Sequence, residues 1–158
     1  MVFSELIAGF GAKFNVDDLS PDAEGVVEVS FDDFVVSFHC APMDTRVMMV
    51  AELGEVPPDG KEFIQSQLLE ANYLFLKTSG ATLSLNPENG CVTLCRSEPL
   101  DWLDVERFTQ LVEGFVNDLS VWKGLLNGYG AIDGEVGRIR QERALEERQF
   151  ALGGFIRV

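Results

Sequence analysis

The chain has 158 residues and a mass of 17.5 kDa, and its 46% hydrophobic and 24% charged residues are typical of one ordinary globular domain. This composition excludes a disordered or collagen-like chain. The 26 acidic against 12 basic residues give a net charge of −14, which argues against nucleic-acid and membrane-surface functions because it repels phosphate groups. The same charge suits a basic or weakly structured partner.

The sequence predicts a cytoplasmic protein. Glu5 interrupts the apolar residues at the N-terminus and no basic stretch precedes them, so we expect no signal peptide. No apolar run reaches the roughly 20 residues that a membrane-spanning helix needs. Cys91 and Cys95 lie on one face of a predicted strand, about 13 Å apart at ~3.3 Å per residue, which is too far for a disulfide. With Cys40, they are interpreted as reduced thiols.

The first predicted element is a short amphipathic helix. Its apolar residues recur at intervals of three and four, although Gly9 and Gly11 weaken the helical propensity. Residues Asn15–Gly25 are acidic and rich in turn formers, which predicts a loop. The apolar residues of the helix are Phe3, Leu6, Ile7, Phe10 and Phe14.

Three antiparallel strands are predicted next. The strand-like runs are Val26–Phe31, Phe34–Cys40 and Arg46–Leu53. Asp32 and Asp33 form a tight turn between the first two strands, and Ala41–Asp44 separates the second strand from the third. Connections this short join antiparallel neighbours, because a parallel crossover needs a dozen residues or more.

A second helix is predicted after Pro57 and Pro58. Asp59, followed three residues later by Glu62, resembles a capping box at its start. The apolar positions form a broad stripe, which predicts that the helix is contacted on more than one side. They are Phe63, Ile64, Leu68, Leu69, Ala71, Tyr73, Phe75 and Leu76.

A β-hairpin and a long helix follow. The hairpin strands are Ala81–Leu85 and Cys91–Arg96, and the Asn-Gly pair in the Asn86–Gly90 loop is expected to supply the positive-φ residues. The long helix has Asp104 as its expected N-cap and shows the clearest helical period in the chain. Its apolar residues are Phe108, Leu111, Val112, Phe115, Leu119, Trp122 and Leu126.

This order of elements predicts one α+β domain with an antiparallel sheet over residues 1–127, followed by a charged helical extension over residues 128–158. Residues 1–121 carry 21 acidic and 6 basic side chains (−15), whereas residues 122–158 carry 5 and 6 (+1). Arg and Glu side chains four apart support a solvated helix in the extension. We expect this helix either to pack loosely on the acidic body or to be an arm exchanged with a second subunit.

Residues suited to catalysis or cofactor binding are few. His39 is the only histidine, and strand alternation separates its side chain from that of Cys40. Cys91 and Cys95 lack the second ligand pair of a zinc site, and the acidic stretches lack EF-hand spacing. The glycines at 128–130 lack the flanking residues of a phosphate-binding loop. The sequence therefore predicts a non-enzyme without metal or cofactor; a thiol-dependent enzyme using Cys40 or Cys95 is the enzymatic alternative.

The predicted strands are apolar in both alternating registers. The runs Phe34–Val36 and Val47–Ala51 place apolar residues on both sides of the sheet, whereas a sheet covered on one face alternates apolar and polar residues. Either the helices wrap both faces, or one face is an apolar surface kept for a partner. Three helices are few for complete coverage, so the sequence favours the second interpretation.

Residues 63–122 carry a more specific pattern. A helix ends with Leu68–Asn72, a hairpin contains Leu83–Gly90, and the final helix begins at Leu103-Asp104 and continues through Glu113–Val116 to Trp122. In order and spacing this pattern resembles the class I type III secretion chaperones of the CesT (Tir chaperone) family, with Asn where Asp is usual in the hairpin. The N-terminal half resembles the family in element order only, and the residues after about 124 lie beyond its usual length.

The resemblance implies a small, acidic, cytoplasmic homodimer without ATPase activity. Such chaperones hold the N-terminal segment of a secreted effector partly unfolded, with its apolar side chains in hydrophobic patches and part of it paired with a strand edge. The expected partners are a secreted effector and a second copy of the chain, with no nucleic acid and no membrane insertion. The alternative is a non-enzymatic regulatory or scaffold module of the same fold that binds a folded protein.

Pattern and resemblance together assign two sets of site residues. Client contact is assigned to the first helix and the sheet, at Phe3, Leu6, Phe10, Val27, Val29, Phe34, Val36, Met48 and Val50. Dimerisation is assigned to the second helix and the following hairpin, at Leu69, Asn72, Tyr73, Leu76, Leu83 and Leu85.

Overall fold

The computed structural model describes residues 2–40, 45–57, 60–75 and 77–128. Within these ranges the chain forms three helices and five strands in the predicted order, which confirms the α+β class. None of the described helices is long and apolar enough to cross a bilayer. The elements are α1 (Phe3–Lys13), β1 (Val26–Phe31), β2 (Phe34–Cys40), β3 (Arg46–Glu55), α2 (Lys61–Asn72), β4 (Thr82–Leu85), β5 (Cys91–Pro99) and α3 (105–128).

The five strands form one antiparallel sheet in the order β1-β2-β3-β5-β4, so that β1 and β4 are its edges. A β-bulge between Glu52 and Gly54 interrupts the pairing of β3 with β5. The Lys123 ammonium of α3 donates a hydrogen bond of 2.7 Å to the carbonyl of Leu53 within this bulge. The helix thereby satisfies an acceptor at the point where the ladder is irregular.

Within the described part of the chain, helices cover one face of the sheet and leave the other uncovered. Val27, Phe38 and Met49 are neighbours across β1, β2 and β3, and their side chains are buried on this inner face. On the outer face the described residues are exposed or half-buried, except for Thr93. The interpretation in which helices wrap both faces is therefore wrong for the described chain, because apolar residues of the other register, such as Val35, remain exposed.

Aromatic rings join α1 and α3 to the inner face. The ring centroid of Phe10 lies 6.1 Å from that of Phe38 and 5.3 Å from that of Phe108, and the last two are 5.5 Å apart. The helices approach closely at Gly9, where an added Cβ would lie 2.6 Å from a methyl carbon of Val105. The glycine that weakens α1 as an isolated helix is thus required by its packing against α3.

Two local predictions are confirmed in detail and one is corrected. The carboxylate of Asp104 accepts a hydrogen bond of 2.7 Å from the Arg107 amide and so caps α3 as predicted. In the β4–β5 turn, Gly90 has a φ of 73°. Asn89 does not share this conformation; its side-chain oxygen instead accepts a hydrogen bond of 2.9 Å from the Cys91 amide.

The apolar stripe through Leu76 predicts a longer second helix, but α2 ends at Asn72, the residue at which the family-like pattern places its end. A 3₁₀ turn follows over Tyr73–Phe75, in which Leu74 and Phe75 have φ values of 52° and 55°. Residues in this left-handed region cannot continue a right-handed helix. Gly60 precedes the first helical residue, while the predicted capping residue, Asp59, lies outside the described chain.

Two further predictions also fall outside the described residues. The first is the assignment of Leu76 as a dimer contact. The second is the helical extension over residues 128–158, of which only residue 128 is described, as the last residue of α3.

We predict that Phe108→Ala lowers the free energy of unfolding by about 3–5 kcal/mol, because a large buried side chain leaves a cavity between α1, α3 and the sheet. The matched control is Phe14→Ala, whose ring is 50% exposed and which should lose about 1 kcal/mol or less. Urea unfolding followed by circular dichroism measures both values. Equal losses in the two variants would contradict the assignment of Phe108 to the core.

Candidate functional site

A groove opens between α1, the end of β1 and α3. It has a volume of about 320 Å³, and its walls are largely apolar. The buried Phe10 ring also lies 5.1 Å from Phe14 and 6.5 Å from Phe31, so one aromatic cluster connects the core to the groove. We call this feature the α1–α3 groove; it is lined by Phe10, Phe14, Phe31, Thr109, Val112, Glu113, Val116 and Asn117.

The β1 edge lies beside this groove. Its first residue is hydrogen-bonded to the preceding loop, and the edge is open after that residue. The Val26 amide donates to the Asp22 carboxylate at 2.9 Å, and the Asp22 amide donates to the Val26 carbonyl at 2.9 Å. Outward-pointing main-chain groups recur at every second residue of an antiparallel edge strand, so those of Glu28 and Ser30 also point away from the sheet. Among the described residues these groups have no main-chain partner outside the sheet.

A second apolar surface lies at the opposite end of the sheet, where α2 flanks β4. Four apolar residues at the end of α2 and in the turn after it are largely exposed: Leu69 (73%), Tyr73 (68%), Leu74 (68%) and Phe75 (53%). Leu69 also lines a groove of about 320 Å³ between α2 and β4. We call this feature the α2–β4 face; its groove is lined by Gln65, Leu68, Leu69, Leu83, Ser84 and Leu85.

The β4 edge differs from the β1 edge because a side chain occupies it. The Asn72 amide group donates to the Leu83 carbonyl at 2.8 Å, and its oxygen accepts from the Leu83 amide at 2.9 Å. In effect the side chain replaces one residue of a neighbouring strand. Together with the body of α2, it leaves little of this four-residue edge for another strand.

The structure places most of the predicted client residues in the core. Buried side chains present no surface to another chain, so the expectation that this group forms an exposed patch is corrected. The reason is that α1 and the inner face of the sheet bury one another. The residues concerned are Phe3, Leu6, Phe10, Val27, Phe34 and Val36, of which Phe10 still forms part of the groove wall.

The other three predicted client residues are half-buried. Val29 lies on the inner face near the β1 edge, whereas Met48 and Val50 lie on the outer face in the centre of the sheet. The sequence prediction missed Phe14 and Phe31 as groove residues. The signal for Phe14 was present, because it is the last member of the apolar stripe of α1.

The predicted dimer residues cluster on the α2–β4 face. Leu69 and Tyr73 are exposed, Leu85 is half-buried in the groove, and Leu83 is buried at its floor. Asn72 is half-buried and engaged with β4 within the same chain. The exposure of Leu74 and Phe75 was missed, since a helical continuation would have placed these residues differently.

The hairpin tip is fastened to β3 through Glu52. One of its carboxylate oxygens accepts hydrogen bonds from the side-chain amides of Asn89 at 2.8 Å and Asn86 at 3.0 Å. These two bonds hold the pKa of Glu52 below its ordinary value. The clamp therefore orients the β4–β5 hairpin, and with it the β4 side of the sheet.

Two of the three thiols, those of Cys91 and Cys95, lie in surroundings that disfavour the reactive thiolate form. Burial, together with the carboxylates of Glu52 and Glu55, raises the pKa of Cys91, and burial raises the pKa of Cys95. A reactive cysteine needs a lowered pKa, so neither environment favours the thiolate. The His39 ring lies 2.9 Å from the Ser37 hydroxyl on the outer face. Within the described chain, no three His, Cys, Asp or Glu residues are grouped to hold a metal ion.

The family of the chain follows from its sequence. The sequence pattern that defines the Tir chaperone protein (CesT) family matches residues 5–123, about three quarters of the chain. The chain belongs to the Tir chaperone protein (CesT) family. The match covers α1 and the whole sheet, and thus both edges and the α1–α3 groove of this CesT-family protein. Comparison with curated protein sequences gives no match.

Solved structures share the CesT-family fold. The ExsC–ExsE complex gives a TM-score of 0.69 at 22% identity, covering 80% of this chain and 97% of that chain. The HopA1–SchA chaperone–effector complex gives 0.65 at 18% identity, covering 77% and 93%. The ExoU–SpcU heterodimer from the type III secretion system of Pseudomonas aeruginosa gives 0.60 at 18% identity, covering 78% and 97%. At these identities the similarity shows the fold.

We predict that the acid-side loss of stability is smaller in Glu52→Gln than in the unmodified chain. Because the folded pKa of Glu52 is lowered, its contribution is complete above the ordinary carboxyl pKa of about 4.3 and is lost as pH falls through the folded value. Thermal unfolding between pH 7 and pH 3 measures the difference. Glu55→Gln, on the same strand but outside the clamp, is the matched control; identical pH profiles for Glu52→Gln and the unmodified chain would contradict the prediction.

Proposed function

We propose that this protein is a type III secretion chaperone that binds the N-terminal segment of a secreted effector and holds it partly unfolded. The observation that carries the proposal is the open edge of β1 next to an apolar groove. An extended segment needs main-chain partners and pockets for alternate side chains, and this region offers both. Family membership and the chaperone–effector complex with the same fold support the same function.

The geometry gives a specific mode of client binding. A client strand would pair with the main-chain groups of Glu28 and Ser30. Its side chains opposite Val29 and Phe31 would point to the same face as these two residues. That is the face on which Phe14 and the α1–α3 groove lie. Met48 and Val50, on the outer face, would contact only a segment that continues around the sheet.

Charge and chemistry are consistent with a binding function. A chain of net charge −14 attracts basic client segments over a distance, and apolar residues then determine which segment fits the groove. The proposal involves no bond-making step and no cofactor. It places the protein in the cytoplasm, where the client is made, with neither nucleic acid nor membrane insertion as part of the function.

We also propose that the protein acts as a homodimer through the α2–β4 face. Leu69 lies on α2 and Tyr73 directly follows the helix; both are exposed, and the groove that Leu69 lines extends the apolar surface to β4. Exposed aromatic and aliphatic side chains of this extent are typical of interfaces. A two-fold contact would pair each α2–β4 face with its own copy.

The client prediction is tested by closing the β1 edge. Ser30→Pro removes the outward amide and places a ring where a client strand would pair; Pro is tolerated on an edge whose amide faces away from the sheet. We expect client binding to weaken by about tenfold, since one main-chain hydrogen bond contributes about 0.5–1.5 kcal/mol and the ring hinders its neighbours. Ser30→Ala, which keeps the amide, should bind like the unmodified chain.

The readout is affinity capture from the source cells, followed by identification of the captured protein and titration of its purified N-terminal segment of roughly 100 residues. Phe14→Glu, which places a charge in the groove, should weaken the same interaction. Capture of a folded regulator that binds all variants equally would instead support the regulatory-module alternative. Equal binding of a secreted client to all variants would remove the β1 edge and the groove from its binding site.

A further inference from the structure

The α1–α3 groove has a single charged side chain among the described residues that line it, the exposed carboxylate of Glu113. Glu113 lies on α3 four residues after Thr109 and four residues before Asn117. Residues four apart lie on one side of a helix, so these three polar side chains form a row along the α3 wall. The groove therefore combines a largely apolar lining with one row of polar groups.

The carboxylate of Glu113 is available for a ligand. Among the described residues, no hydrogen bond or ion pair engages it. Lys13, the basic residue of α1, is paired with Glu106 at the start of α3. Lys123, farther along α3, donates to the carbonyl of Leu53. The basic side chains that these two helices place on either side of the groove are thus used elsewhere.

Phenylalanine rings form much of the remaining lining. The ring centroid of Phe10 lies 5.1 Å from that of Phe14 and 6.5 Å from that of Phe31. Aromatic rings pack against aliphatic chains, and their faces attract cations. Phe31 is the last residue of β1, and a client residue directly opposite it would have its Cβ about 5 Å away. The side chain of that client residue would therefore enter the groove beside the rings.

We infer that the groove takes an arginine side chain of the client, with its stem against the phenylalanine rings and its guanidinium at Glu113. This inference rests on the proposed function and names one residue of the segment that is bound. Arginine packs its hydrocarbon stem on apolar surface while its charged end stays among polar groups. The planar guanidinium also donates two parallel hydrogen bonds to a carboxylate, which the ammonium of lysine cannot do.

Other side chains fit the lining less well. An apolar side chain would cover the carboxylate of Glu113 without supplying a donor, and an unpaired carboxylate is costly to remove from water. An acidic side chain would be repelled by Glu113 and by the net charge of −14. Arginine satisfies both the apolar and the charged part of the groove.

The test uses the full chain and capped seven-residue peptides in which threonine and valine alternate around a central guest residue. The guest is arginine, its neutral isostere citrulline, lysine or norleucine, and calorimetric titration measures each affinity. We expect the arginine peptide to bind about three- to tenfold more tightly than the citrulline peptide. In Glu113→Gln, which removes the charge and keeps the shape, this ratio should fall close to one.

Asp118→Asn is the matched control. It removes one negative charge from the same helix, but the Asp118 carboxylate lies 3.3 Å from the Ser79 hydroxyl and does not line the groove. The ratio of arginine to citrulline affinity should be retained in this variant. An equal loss of the ratio in both variants would show a general effect of net charge and would overturn the inference.

Three further results would overturn it: equal affinities of the arginine and citrulline peptides, a ratio that persists in Glu113→Gln, or a lysine peptide that binds as tightly as the arginine peptide. The norleucine peptide tests the β1 edge separately, since its binding should weaken in Ser30→Pro whatever the role of Glu113. If it does so while arginine gives no advantage, the inference fails and the proposed binding mode stands. If no peptide binds the unmodified chain, both fail.

Discussion

The contact of Phe10 with Phe38 and Phe108 fixes the positions of α1 and α3 on the sheet, and the α1–α3 groove depends on it. It holds α1 and α3 together over the inner face of the sheet, with Gly9 allowing their close approach. Phe10 is buried in the core, and Phe14 lies one helical turn later. Phe14 therefore lies next to the end of β1, where it lines the groove with Phe31. The α1–α3 groove therefore lies at the edge of the hydrophobic core, and Phe10 belongs both to the core and to the groove wall.

The two edges of the sheet differ in how many of their main-chain groups are already hydrogen-bonded. This difference determines which kind of partner each edge suits. Asn72 and α2 close β4, so the surface beside it can be used only through side chains. Asp22 closes only the start of β1, so a chain that lacks its own hydrogen-bonded structure can pair farther along. In the binding mode that we propose, a folded copy and an unfolded client therefore occupy opposite edges of the sheet and do not compete.

Sequence reasoning predicted the elements well because their signals are local. The three- and four-residue spacing in α3, the Asp104 cap and the short strand connections each act within a few residues of the chain. Which apolar residues are exposed was harder to predict, since Val36 in the core and Val35 in solvent are both valines of one strand. The apolar spacing also extended the second helix into the turn at Leu74 and Phe75. The hydrogen bonds to the residues after this turn come from Trp122 and Arg96, which are distant in sequence.

The short length of the open β1 edge has a consequence for how a client would leave. Glu28 and Ser30 offer four main-chain groups, and with each hydrogen bond contributing about 0.5–1.5 kcal/mol, backbone pairing alone stabilises a complex by only a few kcal/mol. Backbone pairing of this strength is readily reversible at ordinary temperature. The time that a client stays bound would therefore depend mainly on its apolar contacts in the α1–α3 groove.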